Sequence, residues 1–361
     1  MLHPLRWRLG ANGMKDKRID YEILRLLAIV GVVFNHTQSR GFELYMVENC
    51  STVNYVGSLL LGILCKMAVP LFFLVSGGLL LHRQEPVTTV LKKRVLRILI
   101  VLVLFSGLLY LCWIRWGTVE DPGVGDFFRR LWANGISIPY WYLYTYLGLM
   151  LLLPFLRPMV QGMGSMAFLY LIGLHILFYG VLSTLGLVCR LGPVNPDLWV
   201  PMVEPDLFYF IMGYYLAHRF PWELVRKRQL ALAGVLGFAA VAGMLVLADL
   251  DFGRNGMVTM NFLESLLIFP IFFVYALVHQ ICAWHPVPLR AGKIIAALGG
   301  CVFGAYLLEG ILRHELGFVY ELLEPKLHVL PACMIWVLAV VLAGLAITWV
   351  LKKVPGLKKL L

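Results

Sequence analysis

The sequence predicts an all-α integral membrane protein of about ten transmembrane helices with both termini cytoplasmic. Three observations carry that prediction. Of the 361 residues, 60% are apolar and only 14% are charged, whereas soluble domains run near half and a quarter. Long runs almost free of charge recur along the whole chain, and a helix needs roughly 20 apolar residues to cross a bilayer. The lysines and arginines gather at the ends of those runs.

Taken in order, the first run, 19–39, carries charges at its start and lacks a small-residue cleavage site, so it reads as a retained span and not as a signal peptide. The second, 56–81, holds Lys66, Pro70 and the Ser76-Gly77 pair. The third, 95–114, follows a basic run that opens it at Lys92. The fourth, 140–156, and the sixth, 205–218, are short and rich in aromatics, as expected of tilted, broken or partly buried helices. Between them, 165–187 carries His175 near its middle. The remaining runs are 229–250, 262–283, 293–314 and 329–351. The expected organisation is a basic cytoplasmic N-terminus (1–18), one polytopic membrane domain (19–351) and a basic cytoplasmic tail (352–361). No soluble domain, repeat or low-complexity tract interrupts it.

With the N-terminus inside, the cytoplasmic segments hold 21 lysines and arginines and the outer ones hold 8, leaving Arg25 and Lys66 within spans. That bias favours both termini on the cytoplasmic side. It also accounts for the net charge of +11 without nucleic acid, because the basic residues form no patch with interleaved aromatics. The seven cysteines lack metal-ligand spacing. Cys50 and Cys189 both fall in expected outer loops and read either as a disulfide or as free thiols used as small apolar residues.

Ionisable residues inside such helices are candidate functional groups. Glu22 and Arg25 share one face of the first helix at i,i+3. They read either as a self-neutralising interfacial pair or as a fixed foot beside a ligand. His36 follows eleven residues later, about 16 Å along the helix, and imidazole is the side chain suited to take a proton near neutral pH. Lys93, Arg94 and Arg97 open the third helix and read either as positive-inside anchors or as a phosphate clamp, since guanidinium forks bind phosphate oxygens bidentately. Lys66 lies too deep to snorkel and requires a polar cavity or an acidic partner. Ser76 and Gly77 suit close helix packing. His175 reads as a packed, bonded residue or as part of a substrate path. Glu309 reads as the i,i+4 partner of Arg313 or as a carboxylate that orients His36, because counting residues along continuous helices puts the two at similar depth.

Together these residues resemble the membrane acyltransferase family 3. The resemblance rests on Glu22, Arg25 and His36, then Lys66, Pro70, Phe72, Phe73, Ser76 and Gly77. It continues through the R-x-x-R of Arg94 and Arg97, Trp141-Tyr142-Leu143 through Pro154, and Gly304-Ala-Tyr306-Leu307. Glu22 stands where relatives carry aspartate, and Glu309 is the ionisable residue near the Tyr-Leu pair, where many relatives have histidine. Some relatives carry an appended hydrolase-like domain, and no counterpart of it is expected in this sequence.

The resemblance implies acyl transfer from a cytoplasmic acyl-CoA, with acetyl-CoA the expected donor, to a hydroxyl of a cell-surface glycan or its lipid-linked precursor. It implies a multi-pass protein of the cell inner or plasma membrane, with membrane lipids as its surroundings and no metal. His36 and Glu309 are then the expected catalytic residues. Arg94, Arg97, Arg25 and Lys93 are expected to bind acyl-CoA, and Glu22, Lys66, Ser76 and His175 to line the substrate path. The competing class is a multi-span glycan transporter or flippase. Ten spans and a mid-membrane lysine suit it, but it leaves the spacing of Arg94, Arg97 and His36 without a role.

Overall fold

The computed structural model describes residues 18–198, 200–256, 258 and 264–361. Residues 1–17 of the expected basic N-terminus, and the first two residues of the expected 262–283 span, lie outside the described residues. Among the described residues the fold is helical, with no strand. In chain order the helices begin with α1 (Ile19–Asn35), α2 (Thr52–Lys66) and α3 (Ala68–Leu80). Next come α4 (Val87–Trp116), which includes a π-helical turn at Leu91–Val95, and α5 (Val124–Trp132). They are followed by α6 (Trp141–Gly162), α7 (Ser165–Val188), α8 (Pro205–His218) and α9 (Lys227–Asn255). The last are α10 (Ile268–Trp284), α11 (Leu289–Gly299), α12 (Val302–Glu315), α13 (Gly317–Leu323), α14 (Val329–Leu351) and α15 (Pro355–Leu360).

Among the described residues, six helices are long and apolar enough to cross a membrane, or seven if α11 and α12 count as one broken span. The expected number was ten. The difference lies in α1, α8 and α10, which are 17, 14 and 17 residues long. At 1.5 Å per residue these fall short of a hydrocarbon core about 30 Å thick. In α1, Asp20, Glu22 and Arg25 also interrupt the apolar run. The expected 293–314 helix stops at Gly299 and restarts at Val302. Counting residues from Lys293 along one straight helix therefore does not give the depth of Glu309.

The chain forms two compact units, each assembled from two stretches. Unit 1 takes residues up to His82 together with Gly162–Gly300, and unit 2 takes Arg83–Gln161 and Cys301–Leu361.

In unit 1, α1 lies against α2, α3, α10 and α11, and α3 crosses α8 with the backbones almost touching. Glycine permits that crossing. A Cβ placed on Gly77 would sit 2.7 Å from the carbonyl carbon of Phe210 and 3.1 Å from its Cα. Apolar surface gives helices little reason to associate in lipid, so close backbone approach over small residues supplies the packing. Gly77→Val is therefore expected to destabilise unit 1 by at least about 1–3 kcal/mol, read as a lower unfolding temperature in detergent.

In unit 2, α12 packs along α14 and against α4. Two tyrosines lock the entry of α6 to α12: Tyr140 donates to the Leu307 carbonyl at 2.6 Å, and Tyr306 donates to the Pro139 carbonyl at 2.7 Å. Both hydroxyls are thereby satisfied at buried positions, where an unpaired one would be costly.

Candidate functional site

His36 occupies the C-terminal end of α1, where helical geometry gives way to φ −106° and ψ 13°. The turn beyond it is fixed by Thr37, whose hydroxyl donates to the Phe34 carbonyl at 2.7 Å and accepts from the Phe42 N–H at 2.9 Å. Next to the histidine, the Asn35 amide donates to the Cys65 carbonyl at 3.1 Å and so ties the end of α1 to α2. Among the described residues the Asn35 Oδ1 is enclosed and has no hydrogen-bond partner. The ring of His36 is half-buried, and its Nδ1 is enclosed. An imidazole held on a braced helix end, with one edge inside the protein, has the restricted orientation a proton-transfer group needs.

At the other end of α1, Glu22 accepts from Arg25 at 3.2 Å with its side chain buried. Glu22 lies directly over Gly299 of α11, where a Cβ would come within 2.7 Å of the glutamate Cβ. The same end holds a group that the sequence reading passed over. Asp20 bonds the His279 ring at 3.0 Å, and both side chains are buried. Arg18 bonds the same carboxylate at 2.5 Å and donates to the Tyr21 hydroxyl at 3.1 Å. Tyr21 and Tyr275 share a hydrogen bond at 3.1 Å, and the Trp222 ring lies 4.6 Å from that of His279. An aspartate orienting an imidazole, the pairing sought between Glu309 and His36, is thus present in unit 1 between Asp20 and His279. The signal in the sequence was the same as for His36, an ionisable residue in an apolar helix.

Lys66, the last residue of α2, pairs with Glu264 at 3.2 Å, and its ammonium lies 5.4 Å from the centre of the Phe42 ring. The pairing supplies the acidic partner that its depth requires. Lys66→Met is expected to lower the unfolding temperature and Lys66→Met/Glu264→Gln to recover most of the loss, because the single change strands a carboxylate. Ser76 sits half-buried beside the Gly77 crossing. His175 is buried, directs Nδ1 to the Val203 carbonyl at 2.8 Å and stacks on Phe208 with ring centres 3.8 Å apart. Cys50 and Cys189 are both free thiols.

In unit 2 the basic motif has a carboxylate at its centre. Glu85, on the loop before α4, accepts two bonds from Arg94, at 2.9 and 2.7 Å, and a third from Arg157 of α6 at 2.9 Å. Arg83 stands 3.7 Å away. The Arg94 donors, with Arg157 adding to them and partial burial opposing, hold the Glu85 carboxyl down to about 2. Arg97 is turned to the C-terminal tail, donating from Nε and Nη2 to the Leu360 carbonyl at 3.0 and 2.9 Å. Lys93 is exposed. The loop before α4, the start of α4, the end of α6 and the tail therefore share one end of unit 2. A turn of π-helix at Leu91–Val95 widens the helix where these cations project, and such turns are frequent at functional sites.

Glu309 is buried in α12 and accepts from Arg313 Nε at 2.8 Å, the i,i+4 pairing. It lies in unit 2 and His36 in unit 1.

The family model of an acyltransferase domain, Acyl_transf_3, matches residues 18–353. The chain belongs to the membrane acyltransferase family 3. No curated protein and no solved structure matches. In this acyltransferase the matched stretch takes in both units and every helix from α1 to α14.

For a member of this family, the residues missed by sequence reasoning are informative. Glu85 is the one acid between α3 and α4, yet nothing local signals that it gathers Arg94 and Arg157. Arg157 enters the sequence reading only within the count of cytoplasmic lysines and arginines, but its side chain is buried in the structure. Together they place Arg94 of the R-x-x-R motif, with Arg157 and Arg83, in a cluster of guanidinium groups around one carboxylate, while Arg97 holds the tail.

Proposed function

We propose that this membrane acyltransferase moves an acyl group, acetyl in the simplest case, from a cytoplasmic acyl-CoA to a hydroxyl of a cell-surface glycan or its lipid-linked precursor, within the inner or plasma membrane. The observation that carries the reading is the guanidinium cluster at one end of unit 2. Arg94, Arg157 and Arg83 outnumber the carboxylate of Glu85 that they surround. The excess positive charge and planar donors suit the phosphates of a coenzyme A. Arg97 and the exposed Lys93 extend that surface, and Arg25, beside Glu22, is the further expected contact.

His36 is the proposed general base. It removes the proton of the acceptor hydroxyl as the oxygen attacks the thioester carbonyl carbon. The tetrahedral intermediate then collapses with cleavage of the C–S bond, and the thiolate leaves with the proton that His36 carried. No acyl-enzyme is required. Glu309, held by Arg313, is kept as a positioning carboxylate in this scheme. Lys66 and Ser76 belong to the proposed path, with His175 as its packed wall. Family membership favours this reading over a transporter, which the Lys66–Glu264 pair would also suit.

The test supplies acetyl-CoA labelled in the acetyl group to membrane vesicles from cells producing the wild type, Arg94→Ala or His36→Ala at matched membrane levels, followed by mass spectrometry of the glycans those membranes carry. Label in the glycan that depends on both residues supports the proposal. Labelled glycan that is unaffected by Arg94→Ala removes the donor assignment.

A further inference from the structure

α5 lies between two membrane-crossing helices. It begins eight residues after the end of α4 and stops six before the 138–162 span, so both of its ends are tied to the membrane surface at the end of unit 2 opposite the Glu85 cluster. One face is fixed to the bundle. Asp126 accepts from Tyr110 of α4 at 2.9 Å and from Arg129 and Arg130 at 2.6 Å each. The Tyr110 hydroxyl accepts from the Gly123 N–H at 3.1 Å. Phe127 packs on the Tyr110 ring at 5.5 Å, and Tyr144 of α6 bonds the Leu131 carbonyl. The charged side of the helix borders a hollow of about 570 Å³ lined by Glu120, Asp121, Asp126, Arg129 and Arg130.

The other face is apolar and uncovered. Val124, Phe128 and Trp132 are 76%, 56% and 91% exposed. At 100° per residue their i, i+4, i+8 spacing places them in one stripe about 80° wide. Leu104, Leu108 and Leu111 of α4 are exposed as well, on the apolar helix that α5 packs against through Phe127, Tyr110 and Gly107, so the stripe adjoins apolar surface that a membrane-crossing α4 would turn to lipid. A tryptophan this exposed, on a strongly amphipathic helix with Arg129 and Arg130 on its other side, has the composition of a helix lying in the headgroup boundary.

We propose that α5 is an interfacial helix whose Val124–Phe128–Trp132 stripe inserts into the adjoining bilayer leaflet, with phospholipid as its occupant. Its anchoring is relayed within unit 2, because the chain runs from Trp132 directly to Pro139 and Tyr140, which hold α12 through Tyr306 and Leu307. The inference is independent of the donor and acceptor assigned above.

The experiment places the photoreactive residue p-benzoylphenylalanine at position 128, 132 or, as the control, 129 of the full chain in nanodiscs of phosphatidylethanolamine and phosphatidylglycerol. After irradiation, peptides are searched for the mass of a phospholipid. Adducts at 128 and 132 are expected to exceed those at 129 by about tenfold, as insertion of one face requires. Equal adducts at all three positions, or none at 128 and 132, would overturn the proposal. The unmodified protein gives a second reading by hydroxyl-radical footprinting in the same nanodiscs. Trp132 is expected to oxidise far more slowly than in the free peptide 117–137, and an equal rate refutes insertion.

Discussion

His36→Ala is expected to lower acyl transfer by about 10²–10⁴-fold, the range that positioned general bases supply. The protein should remain folded, because the bonds that brace this end of α1 come from Asn35 and Thr37. The variant therefore separates loss of the proton acceptor from loss of structure, provided that unfolding temperatures of wild type and variant are compared alongside the activity. Coenzyme A binding should be retained, since the proposed donor contacts are elsewhere in the chain. A variant that binds coenzyme A normally, melts normally and transfers no acyl group is the expected result. One that transfers at the wild-type rate removes His36 from the chemistry. His279→Ala provides the internal comparison. If the buried Asp20–His279 pair only holds α1 to α10, its loss lowers the unfolding temperature with a smaller fall in turnover per folded molecule.

Much of the helical framework was legible because its signals are local. The expected 329–351 and 205–218 helices match α14 and α8 residue for residue. His328 and Lys352 bound the first apolar run, and Pro205 and His218 the second. Length was less legible as a guide to spanning, since α8 is apolar on nearly all sides through burial within unit 1 and not through exposure to lipid. The division into two units left no local signature, because the interleaved stretches share the same apolar composition.

The candidate site divides the same way. Glu309–Arg313 and Glu22–Arg25 were readable from helical spacing. The depth of Lys66 demanded an acidic partner, but many residues separate it from Glu264, and pattern alone could not choose among the acids. Asp20 with His279, and Glu85 with Arg157, are likewise meetings of distant segments that only the packing decides.

The Glu85 cluster carries the second large expectation. Arg94→Ala removes two charge-assisted donors and should weaken coenzyme A binding by about 10–100-fold, the equivalent of roughly 1.5–3 kcal/mol. Titration calorimetry with coenzyme A on the purified full chain measures it. Glu85→Gln should act in the opposite sense on binding, because the carboxylate that competes with phosphate for Arg94 and Arg157 is gone while the guanidinium groups stay. On stability the same change should be harmful at neutral pH, since it leaves three cations with weaker acceptors. The acid limb fixes the sign. Glu85 has its carboxyl lowered from an ordinary 4.5 to about 2, chiefly by the Arg94 bonds. The stabilisation it gives is complete above about 4.5 and lost as pH falls toward 2. The wild-type advantage in unfolding temperature over Glu85→Gln should therefore narrow across that window and be unchanged above it. A cluster that binds coenzyme A more tightly when Glu85 is neutral, yet is less stable for it, has a carboxylate standing where the donor's phosphate is proposed to bind. If Glu85→Gln binds coenzyme A less tightly than wild type, the carboxylate instead positions the arginines, and the phosphate must reach them from another side.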